Sequence, residues 1–378
     1  MRSKTLSRRC STVTAAALSA LVLPLSAAHA ADTTPQANRA ATDAFGRVAD
    51  AVFTDRTAAL LDGSHPARTE LKATTGGIRL SDALTRTQNT AVSSLHGTRS
   101  RLAALGEAYT AADTDVTVNR TRVRGQRATV WVTETTTLTY KKIRGDEPDT
   151  TGFRAHHVLT FAAQPDGTWK LTGERSTDRG PRQVNEPVPT VSGKTPMAAV
   201  DAPRAATTYP APAKPKNLGT GTTYNYAAMA AYAEKYWRNY NAAYRRFNSA
   251  GGDCTNYLSQ SLKAGGWKPV TTSAQEYGTW YYGTSTESDS WVGVNEWSWF
   301  TQTAKRTTPL ANVYQMNIGD VMQMDFNKDG SKDHSMITSY RSSSGVPYVT
   351  YHDTDTYRRS VSSLIASYPN SAYYAYRT

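Results

Sequence analysis

One cysteine carries the clearest candidate chemistry in this sequence. Cys254 lies in the run GGDCTNYLSQ, directly after two glycines and an aspartate. Asp253 predicts a helix N-cap and Gly265 a helix end, so we expect the thiol in the first turn of a helix. The dipole and the unpaired amides of such a turn favour the thiolate, which is the nucleophilic form of cysteine. The alternative is a cysteine packed in the core for structural reasons.

A nucleophilic thiol needs a base, and the residues from 222 onward contain two histidines, His334 and His352. His334 begins one predicted strand and His352 ends the next. A residue on the strand beside the base is well placed to orient the imidazole, and His352, Asp353 and Asp355 compete for that role. Strand alternation places His352 and Asp353 on opposite faces, so only one of them can point at His334.

Other polar and aromatic side chains could complete a site around the thiol. Asn248 lies six residues before Cys254 and could donate its amide hydrogens to an oxyanion. The middle of the C-terminal region is rich in tryptophan, and Trp280, Trp291 and Trp297 are predicted to contact a substrate. These residues are therefore expected to line a cleft beside the thiol.

An acidic run further along has the spacing of a calcium loop. Positions one, three, five and nine of that pattern are Asp325, Asn327, Asp329 and Asp333. Position twelve is Met336, where a calcium loop needs a bidentate acid. A hairpin turn is the better interpretation, with weak calcium binding as the alternative. We predict no metal site and no cofactor.

The candidate residues are positioned by helices and strands of the C-terminal region. In YNYAAMAAYAEKYWRNYNAAYRRF, apolar residues recur every three or four positions, which predicts one long helix with an apolar face. The predicted strands are GDVMQMDF, HSMITSY, VPYVTYHD and AYYAYR, and VSSLIASY predicts a short helix before the last strand. Residues 222–378 are thus predicted to pack a helix that bears the cysteine against an antiparallel sheet.

Residues 31–179 are predicted to form a small α+β domain. Phe45, Val48 and Val52 have helical spacing, and RATVWVTETTTLTY then alternates apolar and polar residues as a strand does. Helices followed by antiparallel strands loosely resemble the cone-shaped nuclear-transport-factor-like folds, which often serve as binding accessories. His156 and His157 fall on opposite faces of one strand, so we predict structural histidines rather than a joint metal site.

Residues 180–221 separate these two regions. They contain eight of the 17 prolines and no periodic apolar pattern. This composition predicts a semi-rigid linker between two domains. The alternative is a loop that packs on one of the domains.

The first 30 residues have the features of a secretory signal peptide. Four basic residues precede an apolar run that is short for a membrane span, and small residues follow at AHA. We predict cleavage after Ala30, secretion of the protein and no membrane attachment afterwards, with an uncleaved anchor as the alternative. Cleavage would leave Cys254 without a partner for an internal disulfide.

The charge of the chain argues against nucleic acid as a partner. The net charge is +12, of which the four basic residues of the leader supply a third. No element carries a stripe of lysine and arginine, which a phosphate-binding surface needs. The sequence does not define an oligomeric state.

Five segments together resemble a known family. YNYAAMAAYAEKYW, GGDCTNYLSQSLKAGG, GDVMQMDF, DHSMITSY and YHDTD, in this order, are similar to the putative amidase domain family of secreted bacterial proteins, which belongs among papain-like cysteine hydrolases. The resemblance covers residues 222–378. It implies a papain-like fold, Cys254 as nucleophile and His334 as base. It also implies a polar residue on the following strand as the third member, and it favours His352. Asn248 stands where papain-like enzymes usually carry a glutamine.

The sequence therefore predicts a secreted cysteine hydrolase that cleaves amide or peptide bonds through an acyl-enzyme on Cys254. Peptidoglycan stem peptides are one candidate substrate. Two alternatives stay open at this point. One is an extracellular binding protein that keeps the fold without turnover. The other is a transglutaminase-like acyltransferase, in which an amine takes the acyl group instead of water.

Overall fold

A computed structural model describes residues 35–63, 78–188, 201–212 and 224–378. The predicted signal peptide lies outside the described residues, as do two stretches of the predicted linker, 189–200 and 213–221. Residues 40–378 form one compact unit. Within the described ranges, no helix combines the length and apolar character needed to cross a membrane.

The described ranges contain both helices and strands, which confirms the predicted α+β class. The helices are α1 (Pro35–Ala58), α2 (Asp82–Ala104), α3 (Tyr226–Tyr236), α4 (Cys254–Ala264), α5 (Asp289–Val292), α6 (Val294–Thr303) and α7 (Val361–Ser367). The strands are β1 (Arg79–Leu80), β2 (Tyr109–Arg124), β3 (Arg127–Tyr140), β4 (Thr150–Ala163), β5 (Trp169–Ser176), β6 (Thr308–Leu310), β7 (Val321–Asp325), β8 (His334–Arg341), β9 (Pro347–Tyr351), β10 (Asp355–Ser360) and β11 (Ala372–Arg377).

All of these strands belong to one hydrogen-bonded sheet. On one side, β4 pairs with β3 along nearly its whole length. On its other side it pairs first with β10 and then with β5. From β10 the order continues β9, β8, β7, β11 and β6, with antiparallel neighbours throughout. The two predicted domains are therefore joined through β4 and β10.

The N-terminal half packs its helices on the sheet as the apolar spacing predicts. Phe45, Val48 and Val52 of α1 are buried in one core with Val130 of β3 and Leu159 of β4. Phe45 and Phe161 also bring their ring centroids to 4.2 Å. The helical period of α1 therefore marks the face that meets the strands.

An ion network is buried in this half around His157. Its Nδ1 lies 3.0 Å from Glu174, its Nε2 lies 3.3 Å from Glu134, and Arg56 pairs with Glu174. Burial acts to lower the pKa of His157, but the bonds to Glu134 and Glu174 outweigh it and raise the pKa to about 10. His156 lies on the other face, partly exposed, and pairs with Asp178. Each histidine thus has a carboxylate partner on its own side of the strand.

The described parts of the predicted linker pack on the compact unit. The Nδ2 of Asn185 donates to Glu134 Oε1 at 2.7 Å and to Thr57 Oγ1 at 2.8 Å. Further along, the Ala205 amide donates to the Tyr373 carbonyl of β11. These segments differ from an exposed spacer because their polar groups find buried partners in both halves of the chain.

In the C-terminal half, α4 lies in the middle of the core. Its residues from Cys254 to Leu262 are all buried, and the helix packs against α3 and β8. Four tryptophans, Trp267, Trp280, Trp291 and Trp297, form a cluster with α4 and are at most 1 % exposed. The helix that carries the cysteine is thereby fixed on every side by large side chains.

The predicted long helix before the cysteine is shorter than its spacing suggests. It ends at Tyr236, and Tyr240 lies outside it. Tyr240 instead stacks on the His352 ring at 3.9 Å and donates a hydrogen bond of 2.8 Å to Asp355. Tertiary contacts of the aromatic residues outweigh the local helical pattern here.

Candidate active site

Cys254 is the first residue of α4, where the sequence places it. The chain reaches it through Gly251 and Gly252, whose φ angles of 117° and 131° are in the region that favours glycine. Gly252 is also required by space, since a Cβ there would lie 2.5 Å from Asp353 Oδ2. Gly252 therefore allows a carboxylate to approach the start of the helix, and Gly251 provides the turn that precedes it.

Asp253 does not cap its own helix with its side chain. Its Oδ1 accepts from the Phe247 amide at 2.9 Å and from Asn256 Nδ2 at 3.0 Å. Its Oδ2 faces His352 Nδ1 at 2.7 Å. Asp253 thus binds the loop before the helix and the end of β9 rather than acting as the predicted cap.

The thiol of Cys254 is buried, with 5 % of the residue exposed. Its Sγ lies 3.8 Å from Thr255 Oγ1, and that hydroxyl donates to Ser335 Oγ at 3.0 Å. Burial, followed by the charge of Asp353, raises the pKa of Cys254 to about 12, although the Ser335 amide acts in the opposite direction. In this conformation the cysteine is a neutral thiol.

His334 begins β8, as predicted. The next residue, Ser335, directs its backbone amide toward the Cys254 sulfur. The imidazole is 1 % exposed and lies edge-on to the Tyr351 ring at 5.0 Å. Its Nε2 is buried without a hydrogen-bond partner. Burial, helped by the charge of His352, lowers the pKa of His334 to about 3. The imidazole is therefore neutral and one of its nitrogens is free to take part in chemistry.

His352 has partners other than His334, which corrects the predicted orienting role. Its Nδ1 bonds Asp253 and its Nε2 lies 2.8 Å from the Tyr236 carbonyl. A carbonyl and a carboxylate both accept, so both ring nitrogens carry hydrogen and the ring is an imidazolium. Consistent with this, the Asp253 hydrogen bond raises the pKa of His352 against the effect of burial. The ring is held between the end of α3 and the start of α4.

Asp355, the other candidate for the third position, is also bound elsewhere. Its Oδ2 accepts from Arg154 Nε at 3.1 Å, and its Oδ1 accepts from the Tyr240 hydroxyl at 2.8 Å. Arg154 belongs to β4, so this pair ties the first residue of β10 to the N-terminal half. The structure assigns Asp355 to that junction rather than to the imidazole of His334.

Asp353 and Asn248 meet at the start of α4. Asp353 Oδ2 accepts from the Cys254 amide at 3.2 Å and from the Asp253 amide. Asp353 Oδ1 accepts from Asn248 Nδ2 at 2.9 Å. The amide of Cys254 and the side chain predicted to bind an oxyanion thus converge on one carboxylate. The sequence raises Asp353 only as a possible partner of His334, and its contact with the helix start was missed.

The three tryptophans predicted to contact a substrate lie in the core. Trp280, Trp291 and Trp297 are each 0 % exposed. The indole of Trp280 donates to Ser259 Oγ at 3.1 Å, and that of Trp291 donates to Asn256 Oδ1 at 2.8 Å. Their predicted role is corrected, because a ring with no exposed surface supports α4 from behind and offers no face to a substrate.

Two groups of acidic residues are candidates for a metal. In the loop after β7, Asp325 accepts the amides of Asp329 at 3.2 Å and Gly330 at 2.9 Å, which is the hairpin turn favoured from the sequence. In the N-terminal half, His157, Glu174 and Glu186 have ligand atoms within 4.8 Å of one another. Those groups are already paired within the buried ion network.

The thiol and the side chains that face it from β8 and the turn after β9 are closed to solvent in this conformation, whereas Asn248 is exposed. His334, His352 and Asp353 are buried together with the cysteine. A cavity of about 280 Å³ lies elsewhere, between α2 and the turn from α7 to β11, and no residue of the Cys254 site lines it. A substrate would therefore require a change of conformation at the start of α4.

Comparisons with known proteins match the C-terminal module. Residues 223–376 fit the family model described as "Putative amidase domain", which confirms the resemblance found from the sequence. The chain is 29% identical over 145 residues to the uncharacterized protein YhbB of Bacillus subtilis (strain 168), covering 38% of this chain and 45% of that protein. It is 31% identical over 146 residues to the uncharacterized protein YjcM of the same organism, covering 34% of this chain and 31% of that protein. The chain spans less than half the length of these curated relatives, and no solved structure matches it significantly.

Proposed function

Because residues 223–376 match the putative amidase domain, we propose that the protein hydrolyses amide or peptide bonds through an acyl-enzyme on Cys254. One observation carries the proposal. At the N-terminus of α4, beside the proposed nucleophile, the Cys254 amide and the Asn248 side chain donate to the two oxygens of a single carboxylate, that of Asp353. Acyl transfer requires such convergent donors where the carbonyl oxygen gains charge.

The proposed reaction begins from the neutral thiol of Cys254 and the neutral imidazole of His334. His334 removes the proton of the Cys254 thiol as the sulfur attacks the carbonyl carbon of the substrate. The carbonyl oxygen becomes an oxyanion and accepts from the Cys254 amide and Asn248. The imidazolium of His334 then gives its proton to the leaving amine. Water, deprotonated by His334, attacks the thioester, and the thiol leaves with that proton as the carboxylic acid is released.

The closed conformation disfavours the first proton transfer. Burial is the main cause both of the raised pKa of Cys254 and of the lowered pKa of His334. Access of water to the pair would move both values back toward their ordinary range. Opening of the site is thus a step of the proposed reaction as well as a requirement for binding.

His352 supports this machinery without touching the reacting atoms. Its imidazolium holds the Asp253 carboxylate on one side and the Tyr236 carbonyl at the end of α3 on the other. Asp253 immediately precedes the nucleophile, so His352 fixes the entry of the chain into α4. We assign His352 as a positioning residue for the helix start.

Secretion and a cell-wall substrate are the finer parts of the proposal. Secretion rests on the basic, apolar and small-residue sequence of residues 1–30. A secreted amide hydrolase would meet peptidoglycan stem peptides, which contain amide bonds of the required kind. Neither the fold nor the relatives name a substrate, so the experiment should begin with whole cell-wall material.

The proposal is tested by incubating the full-length protein with purified peptidoglycan and a labelled primary amine. We expect new amino groups and released peptides from the wild type, and none from Cys254→Ser or His334→Gln. Incorporation of the amine into the wall material without net hydrolysis would support acyl transfer instead. Folded wild-type protein that gives neither product on wall material or on a library of amide substrates would contradict the proposal.

A further inference from the structure

The donors that the proposed reaction needs are already occupied. Asp353 offers one oxygen to the amides of Asp253 and Cys254, and its other oxygen accepts from Asn248. An oxyanion formed on a substrate would need the Cys254 and Asn248 donors for itself. A carboxylate and an oxyanion carry the same kind of charge, so both cannot occupy this position.

We propose that Asp353 is a built-in inhibitor of the site, whose carboxylate fills the oxyanion position in the resting protein and must leave before a substrate carbonyl can bind. This inference rests on the proposed function and adds the regulation of the same site.

The same carboxylate acts on the sulfur. After burial, its charge is the largest cause of the raised pKa of Cys254, so it favours the unreactive thiol. Asp353 is itself surrounded by the charges of Asp253 and His352, and burial raises its own pKa to about 6. One group therefore blocks the oxyanion donors and keeps the nucleophile protonated.

The backbone that presents Asp353 is in an unfavourable conformation. Asp353 has a φ of 57° and Thr354 has a φ of 69°; aspartate tolerates this left-handed region, but a β-branched threonine rarely adopts it. Such a conformation persists only when its surroundings enforce it, and it is found at switch regions. The turn between β9 and β10 is thus a place where a second conformation would relieve strain.

The start of the predicted linker and strand β4 of the N-terminal half together enforce this turn. Thr354 Oγ1 donates to the Pro181 carbonyl at 2.7 Å. Gly180 packs so closely that a Cβ on it would lie 1.8 Å from the Asp353 carbonyl oxygen. Just beyond the turn, Asp355 is held by Arg154 of β4. These contacts come from residues outside the family match. We call these residues, Gly180, Pro181 and Arg154, the clamp, because they hold Asp353 in its inhibitory position.

An alternative is that Asp353 only caps α4. A carboxylate at a helix N-terminus stabilises it through the dipole and the free amides. Under that alternative, the first turn of α4 depends on the carboxylate, so its removal would unwind that turn and the freed amides would no longer be held together to bind an anion. The two interpretations therefore predict opposite results for an anionic reagent at Cys254.

The test compares alkylation of Cys254 by iodoacetate and by iodoacetamide in the full-length protein. In Asp353→Gly, which suits the positive φ, the vacated donors should accept the reagent's carboxylate. We expect the ratio of the iodoacetate rate to the iodoacetamide rate to rise by about tenfold over wild type. Added acetate should then slow alkylation of the variant but not of the wild type. The ratio cancels any general change in exposure of the thiol.

Lys328→Gly is the matched control, because it places glycine at another positive-φ position, with a φ of 60°, and leaves the Asp353 carboxylate and its turn unchanged. We expect its ratio to match wild type. An unchanged or lower ratio in Asp353→Gly, or an equal rise in both variants, would overturn the proposal. Alkylation requires no turnover, so a raised ratio in a protein that cleaves no amide would contradict the proposed function alone. Active wild type with an unchanged ratio would contradict only the inhibitory role.

Discussion

The amide of Cys254 donates a hydrogen bond of 3.2 Å to the carboxylate of Asp353, which lies 99 residues further along the chain. The anion at the start of α4 thus comes from the turn after β9 and not from the helix's own first turn. A capping group on a separate element can move away without unwinding the helix. The nucleophile can therefore stay in place while its surroundings change.

In the proposed reaction, Cys254 and His334 are the two side chains that form bonds with, or transfer protons to, the reacting atoms. We expect Cys254→Ala to abolish amide hydrolysis and His334→Gln to lower kcat by at least about 10³-fold, since the base acts on the reacting atoms. Both effects would be measured as release of amino groups. Circular dichroism should show unchanged folding, and substantial residual activity in Cys254→Ala would remove the cysteine from the mechanism.

His352→Phe should affect stability before it affects chemistry. The phenyl ring can keep the stacking on Tyr240 and Tyr257 but leaves the Asp253 carboxylate buried without its imidazolium. Removing one partner of a buried ion pair costs about 3–5 kcal/mol of unfolding free energy. Urea denaturation would measure the loss.

The matched control is His156→Phe, whose histidine pairs with Asp178 at a partly exposed position. Such pairs contribute about 0–1 kcal/mol. If His352→Phe unfolds at the same urea concentration as this control yet loses activity, His352 acts on the chemistry directly.

Gly180→Ala should expose Cys254 indirectly, by displacing the turn that carries Asp353. Its new Cβ would lie 1.8 Å from the Asp353 carbonyl oxygen, so the turn must shift. We expect iodoacetamide to label Cys254 about threefold faster or more, because a displaced Asp353 no longer raises the thiol pKa. Gly97→Ala is the control, since its Cβ would meet only the flexible end of Arg101 at 3.3 Å. Slower labelling than in that control would show that the clamp does not act on the thiol.

The buried ion network around His157 should stabilise the folded protein only within a defined pH range. The pKa of His157 is about 10 in the folded protein against 6.5 unfolded, so its contribution is complete below pH 6.5 and is lost as pH rises through 10. The pKa of Glu174 is about 2 against 4.5, chiefly because His157 and Arg56 outweigh burial, so its contribution is lost as pH falls from 4.5 to 2. Urea midpoints of wild type and His157→Gln should differ most between these limits and converge beyond pH 10. A constant difference up to pH 11 would contradict the assigned imidazolium.

Proteolysis between the two halves should not separate them. The pairing of β4 with β10 and the Arg154–Asp355 bond join residues on both sides of the predicted linker. A chain cut within residues 189–200 should therefore elute as one species in gel filtration and run as two fragments on a denaturing gel. Elution as two species would show that the shared sheet is too weak to hold them.

The sequence predicts the local parts of the site and misses the long-range ones. The glycines around the α4 sequence predict that Cys254 begins a helix, and the turn before β8 together with alternating apolar residues predicts that His334 begins a strand. These signals act over only a few residues. Strand β10 was not predicted, because its charged residues gain stability only by pairing with β4 and β9. Without β10 the position of Asp353 could not be inferred. Similarly, His352 bonds Asp253, the residue before Cys254, and the sequence spacing does not predict this long-range contact.

The tryptophans show how the same residue type can mislead. Their clustering suggested a recognition surface, yet Trp280, Trp291 and Trp297 fill the space behind α4. Large aromatic side chains bury more apolar area than any others, so a core under a polar, cysteine-bearing helix uses them. The signal available beforehand was the small, polar residues of α4. Ser259 and Asn256 leave room for the rings and accept hydrogen bonds from the indoles of Trp280 and Trp291.

The shared sheet also determines how the C-terminal module would behave on its own. Expressed as residues 224–378, it would expose the side of β10 that pairs with Arg154, Phe153 and Gly152 in the whole chain. An open edge strand presents unpaired backbone groups and recruits other chains. The isolated module should therefore self-associate through β10, and the N-terminal half protects the protein from aggregation as well as holding the turn beside it.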